Sequence, residues 1–274
     1  MNIQTIIKML TDSGIEEAEA KREVSMLLEH FCEFTEEDKI RGNLPEEGDL
    51  KLLEEKALER IETRNPVQYI TGRAWFMGEY FKVTPDVLIP RDETEILVRE
   101  AIEIIKRENI ENVLDIGTGS GCIACTVAKQ TKAVVLGTDI SSDALRVALD
   151  NVTSLGINNR AIFRKSDIFS KIREEERFGL IVSNPPYIPV GTELQEEVRH
   201  EPEIALFAED NGLAVYKRII QEAPRYLKKG GYLMFELGID EADVVKELME
   251  NSFENIYTIK DLAGIERVVC GQLK

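Results

Sequence analysis

The chain has 274 residues, 43% of them hydrophobic, and a net charge of −17 from 51 acidic and 34 basic side chains. At ~150 residues per domain that length supports one large domain plus a smaller one, and no apolar run reaches the ~18 residues a membrane span needs. The anionic excess opposes non-specific nucleic-acid binding, which depends on Lys and Arg neutralising phosphates.

Met1 to Leu10 carries no basic stretch followed by an apolar block, so no secretory signal is evident and a cytoplasmic protein is expected. Residues 2 to about 64 read as helical throughout. Ile3, Ile6, Ile7 and Leu10, then Val24, Leu27, Leu28 and Phe31, recur at helical spacing, with Gly14, Gly42-Asn43 and Pro45 as punctuation. Residues 1–60 hold 16 acidic and 8 basic side chains. That bias suits either a solvated helical surface or a small module that docks a basic partner. From Asn65 to Pro90 the pattern changes to Pro66-Val67-Gln68-Tyr69-Ile70-Thr71-Gly72, then to alternating aromatics at Trp75, Phe76, Tyr80 and Phe81. A short hairpin is expected there, and with it the domain junction. Three segments follow: a helical domain over 1–72, a hairpin linker over 73–90 and a larger domain over 91–274. Asp92 is expected to cap a helix running to about Glu108.

Beyond this point strands and helices alternate. Strand 112–116 leads into a glycine loop at 117–121, then helix 122–130, strand 133–138 ending at Asp139, and helix 142–155. Strand-like 161–164, the apolar run Phe178-Gly179-Leu180-Ile181-Val182 and a helix near 213–227 come next, then strand 231–236, helix 240–250 and two late strands. Such alternation implies a mostly parallel, doubly wound sheet with helices on both faces. In that architecture ligands bind beyond the carboxyl ends of strands where strand order reverses. The glycine loop, Asp139 and Asn184 all sit at such ends, so one cleft should gather them.

The loop Asp115-Ile116-Gly117-Thr118-Gly119-Ser120-Gly121 spaces its glycines G-x-G-x-G, whereas a dinucleotide fingerprint would need a glycine where Cys122 stands. A glycine loop followed about 20 residues later by a strand-end acid suits a nucleoside whose ribose hydroxyls the carboxylate takes. Ser183-Asn184-Pro185-Pro186-Tyr187 closes the buried run. Two prolines fix φ twice and remove two N–H donors, and a residue before proline is pushed toward extended backbone. The result is a rigid strand tip bearing acceptors. Cysteines 32, 122, 125 and 270 are too scattered for a disulfide framework, and Cys122-x-x-Cys125 lacks a second pair for zinc. His30 and His200 are too few and too isolated for a metal site or a Ser-His triad.

These features together resemble the class I S-adenosylmethionine-dependent methyltransferases, and more narrowly the HemK-type release-factor glutamine methyltransferases. The narrower likeness rests on Pro66 to Gly72, Leu88-Ile89-Pro90-Arg91, Glu201-Pro202 with Ala205-Leu206, and the closing Asp261 to Arg267. It implies a Rossmann-like α/β methyltransferase domain preceded by a small helical substrate-recognition domain. It also implies S-adenosylmethionine as cofactor, S-adenosylhomocysteine as product, no metal, and the glutamine of a release factor's Gly-Gly-Gln loop as acceptor. Gly117, Thr118, Gly119, Ser120 and Gly121 would meet the cofactor's methionine and ribose region, Asp139 the ribose hydroxyls, and Asp167 with Ile168 the adenine. Asn184 and the Pro185 carbonyl would accept the two amide hydrogens, with Pro186 and Tyr187 beside the substrate side chain. Arg91 would orient a carboxylate or line the cleft, if it is not a surface ion pair. Asp92 departs from the family pattern, which has proline there. Two other readings stay open on the residues: methylation of another amide or amino nitrogen, in a ribosomal protein or in DNA, and a cofactor-binding interaction protein without catalysis.

Overall fold

The computed structural model describes residues 2–274, apart from the side chain of Glu36. Among them the chain forms two compact units, one running to Arg73 and including Leu194–His200, the other comprising Ala74–Glu193 and Glu201–Lys274. Among the described residues no helix is long and apolar enough to cross a membrane.

The first unit is built from α1 (Ile3–Asp12), α2 (Glu17–Phe31), α3 (Glu36–Ile40), α4 (Glu47–Thr63) and α5 (Val67–Thr71). The side chain of Asn2 caps α1 by accepting from Thr5 N at 2.9 Å, the preferred way to satisfy a free helical N–H. The helical spacing read from the sequence places Ile6, Leu10, Val24, Leu27, Leu28 and Leu53 in one apolar core. Pro66 to Gly72, placed at the end of the helical domain from the sequence but given no element of its own there, encloses α5. Pro66 precedes its first turn and Gly72 ends it at φ 69°, the proline-before, glycine-after asymmetry of helix ends. Five residues are too short for periodicity to announce. Across this core lies a buried ion cluster: Arg60 Nη2 reaches Glu23 at 3.0 Å and Glu197 at 3.2 Å, and Arg64 also pairs with Glu197. Those pairs explain why Leu194–His200 groups with residues more than a hundred positions earlier.

The second unit opens with the hairpin β1 (Arg73–Phe76) and β2 (Glu79–Lys82). Met77 and Gly78 both take positive φ at its turn, as a two-residue hairpin turn matched to strand twist requires. Phe76 and Phe81 face inward, while Trp75 and Tyr80 pair edge-to-face on the outside. Then come α6 (Asp92–Glu108), β3 (Asn112–Ile116), α7 (Cys122–Gln130), β4 (Val134–Asp139), α8 (Ser142–Ser154), β5 (Ala161–Lys165) and β6 (Phe178–Ser183). The chain continues through β7 (Ile188–Pro189), α9 (Glu203–Leu206), β8 (Phe207–Ala208), α10 (Ala214–Glu222), β9 (Leu227–Glu236), α11 (Ala242–Met249), β10 (Phe253–Lys260) and β11 (Glu266–Leu273).

One seven-stranded sheet runs in the order β10-β11-β9-β6-β3-β4-β5. All its contacts are parallel except those of β11. The chain leaves β3 for β4 and β5 on one side and returns to its other side as β6, so strand order reverses between β3 and β6. Successive residues serve opposite faces, as a pleated strand dictates: Leu180 and Val182 pack with α6 and α7, and Ile181 packs with α10 and α11. Two boundaries differ from expectation. Asp92 is the first residue of α6 rather than its cap, a place Arg91 takes without a side-chain bond. With Glu93 and Glu95, Asp92 puts negative charge at the positive end of the helix dipole. The helix expected to reach 227 stops at Glu222, because Pro224 turns the chain through a 3₁₀ segment.

Candidate active site

The cleft opens beyond the carboxyl ends of β3, β4, β5 and β6, within the second unit. Its walls include Gly117, Thr118, Gly119, Ser120, Asp139, Asp167, Ile168, Asn184, Pro185 and Pro186, so the residues singled out from the sequence converge. Gly121 and Tyr187 are not on those walls.

The glycine loop is held from several directions. Gly117 N and Thr118 N both donate to Thr138 O, at 2.8 and 2.9 Å, pinning the loop to the end of β4. Gly119 N donates to Asp139 Oδ2 at 2.9 Å, and Ser141 N donates to Oδ1 at 2.8 Å. Each Asp139 oxygen keeps acceptor capacity for a further hydroxyl, and burial raises this carboxyl's pKa. Thr118 Oγ1 donates at 2.6 Å to Asp115 Oδ2. Asp115 is fully buried, which pushes its carboxyl up to about 7. Gly121 takes φ 79°, and a Cβ there would stand 3.0 Å from the Phe163 ring and 3.1 Å from Ala148. Its role is thus close packing behind the loop, not contact with the cleft. Asn151, invisible as a functional position in the sequence, ties the loop to the hairpin. Its amide accepts from Lys82 N at 2.7 Å and donates to Ser120 O at 2.9 Å.

At the reversal point Ser183 Oγ donates to Ile116 O at 2.7 Å, joining the tips of β6 and β3. Asn184 therefore emerges beside the glycine loop: a Cβ on Gly117 would lie 3.9 Å from the Asn184 carbonyl. The Asn184 side chain is tied back by its nitrogen, Nδ2 donating to Thr94 Oγ1 at 3.2 Å. Thr94 Oγ1 in turn donates to Glu236 Oε2 at 2.6 Å. Glu236, at the carboxyl end of β9, and Thr94, in the first turn of α6, are each 2% exposed. Neither was singled out from the sequence. Burial pushes the Glu236 carboxyl up to about 7, opposed by the Thr94 hydrogen bond.

Tyr187 turns away from the cleft and packs on the α10–α11 face of the core, where a Cβ on Gly238 would come within 3.0 Å of its ring. Burial, then the Glu236 charge, raises its hydroxyl well above the usual phenol range. Asp167 engages Arg218, whose Nη2 lies 2.9 Å from both carboxylate oxygens. Ile168 follows it at φ 49° with its side chain buried. Arg91 pairs with the buried Glu201, whose Oε2 also accepts from Ile89 N at 3.0 Å. That carboxylate staples the 86–91 segment to the start of α9, and both segments wall the cleft. Cys122 and Cys125 are core residues of α7 whose thiols burial holds protonated, that of Cys122 at about 12.

A nucleoside sulfonium suits these walls. They combine a carboxylate with free acceptor capacity, Asp139, with apolar surface from Ile140, Ile168, Ala205 and Phe207.

A family model described as a methyltransferase domain matches residues 108–272. The chain is 41% identical, over 80% of its length and 78% of the other, to a Koribacter versatilis protein named release factor glutamine methyltransferase. A Chlorobaculum tepidum protein of the same name is 38% identical over 97% of this chain and 94% of its own. Among solved structures, the T. thermophilus 16S rRNA N2 G1207 methyltransferase, in complex with AdoMet and guanosine, aligns at a TM-score of 0.56. It has 20% identity, with 74% of this chain and 50% of that one covered. That likeness shows a shared Rossmann-like fold.

Proposed function

The chain belongs to the release factor glutamine methyltransferase family, and we propose that it methylates the side-chain amide nitrogen of the glutamine in the Gly-Gly-Gln loop of peptide-chain release factors. The observation that carries this reading is Asn184, whose nitrogen is held by Thr94 so that its oxygen is left for a partner in the cleft. A glutamine amide offers two N–H donors and has a nitrogen lone pair delocalised into its carbonyl. It is a weak nucleophile, so the protein's task is chiefly orientation, and well-placed groups supply roughly 7–11 kcal/mol of effective molarity. Asn184 Oδ1 and the Pro185 carbonyl accept the two amide hydrogens, which aims the nitrogen and offsets the positive charge that develops on it. S-adenosylmethionine, held by the 117–120 loop and Asp139, supplies an electrophilic methyl group, leaving S-adenosylhomocysteine. Tyr187 acts from behind the motif by fixing its backbone, and Gly121 by seating the loop. Asp167 and Ile168 border the adenine. The acidic helices of the first unit hold a second surface of the factor.

The test is incubation with labelled S-adenosylmethionine and a purified release factor, followed by mass mapping. Label on the Gly-Gly-Gln glutamine is expected; label elsewhere or none overturns the substrate assignment.

A further inference from the structure

An asparagine side chain has two nearly isosteric ends, one accepting and one donating, and shape alone does not decide which faces a substrate. If the NH₂ end of Asn184 faced the glutamine amide, donor would oppose donor. We propose that Thr94 and Glu236 are positioning residues that fix this polarity. The Glu236 carboxylate takes the Thr94 hydroxyl proton, Thr94 Oγ1 can then only accept, and the Asn184 amide must turn its Nδ2 inward and its Oδ1 toward the substrate. The proposal rests on the reading of Asn184 as the acceptor for a substrate amide.

The distances fit a directed chain. The Glu236–Thr94 contact is short at 2.6 Å and the Thr94–Asn184 contact longer at 3.2 Å, as expected for a charge-assisted bond followed by a neutral one. Thr94 and Glu236 are each 2% exposed, Thr94 at the wall of the cleft and Glu236 behind it, so little water reaches the link between them.

The chain reads correctly only while Glu236 is ionised. A protonated Glu236 could donate to Thr94, freeing the Thr94 hydroxyl to donate to Asn184 Oδ1, and the amide would turn over. Burial raises the Glu236 pKa toward neutrality, Glu93 adds to the rise, and Arg267 and Arg91 oppose it. Tyr187, Cys122 and Tyr216 also face its charge, but burial holds all three protonated, so none titrates in the same range.

The test uses the full chain and four measurements on each variant: calorimetric affinity for S-adenosylmethionine, thermal midpoint, kcat against pH, and the side-chain ¹⁵N resonance of Asn184, assigned by its loss in Asn184→Ala. Thr94→Val keeps shape but cannot accept; it should lower kcat on the order of 10²-fold with cofactor affinity and midpoint retained, and Thr94→Ser should restore most of that loss. In the wild type the Asn184 NH₂ resonance should titrate together with an acid limb in kcat near neutral pH. Glu236→Gln removes the titrating carboxyl whichever end its amide presents, so both the limb and the titration should disappear. Wild-type kcat in Thr94→Val, or an Asn184 resonance that does not respond to Glu236→Gln, overturns the proposal. If the wild type leaves the release factor unmethylated, the functional reading fails, and the resonance still decides whether Thr94 and Glu236 set the amide.

Discussion

At the scale of single residues, the proposed function separates holding the methyl donor from aiming the acceptor, and two substitutions should separate them in measurement. Asp139→Ala removes the carboxylate proposed to receive ribose hydroxyls and also frees Gly119 N. Losing charge-assisted bonds of ~1.5–3 kcal/mol should weaken S-adenosylmethionine roughly 10- to 100-fold by calorimetry. Asp139→Asn keeps an acceptor for Gly119 and should lose less. Unchanged affinity in the alanine variant would remove Asp139 from the ribose. Asn184→Ala should leave that affinity near wild type and lower kcat by about 10²; equal turnover would sink the acceptor role. The glycine loop, Asp139 and Asn184 could be read from the sequence because each announces itself locally, by positive-φ glycines, a strand-end acid and a proline pair. Thr94 and Glu236 could not. They stand 142 positions apart and touch only because α6 and β9 meet behind β6, and nothing in the sequence near either one signals the other.

At the scale of elements, the alternation of strands and helices gave nearly every core segment its place, since period-two and period-3.6 patterns are local properties. The exceptions were elements too short to show a period, α5 and the β7–β8 pair, and the helix that Pro224 cuts short. The close fit of β4 under the loop was likewise hidden. A Cβ on Gly137 would lie 2.5 Å from the Phe163 ring on β5 and 2.8 Å from Thr118 Oγ1. Gly137→Ala should therefore cost about 1–3 kcal/mol in a denaturant series, as overpacked cores do. Displacing Thr118 should also weaken cofactor binding. A variant as stable as the wild type would show that β4 and β5 can separate there at little cost.

At the scale of the whole molecule, Asp115 and Glu236 set a pH response. Both carboxyls titrate at about 7 in the folded chain, against ordinary values of 3.8 and 4.5. A folded-state pKa above the unfolded one means the native state holds its proton more tightly, so this contribution is full below the unfolded values and is lost as pH rises through about 7. The thermal midpoint should fall from about pH 4 to about pH 7 and level off above that, with a contribution of up to roughly 4 kcal/mol per group. Asp115→Asn should flatten the slope; an identical slope would show that Asp115 is not its source. The helical unit has a different lesson. Arg60 joins Glu23 to Glu197 in one buried cluster, so the unit is not a contiguous stretch of gene. Recombination that exchanged only its first 73 codons would separate Arg60 from its second carboxylate. Arg60, Arg64 and Glu197 should therefore be inherited as a linked set, and hybrids of two homologues should fold best when 194–200 travels with the N-terminal helices.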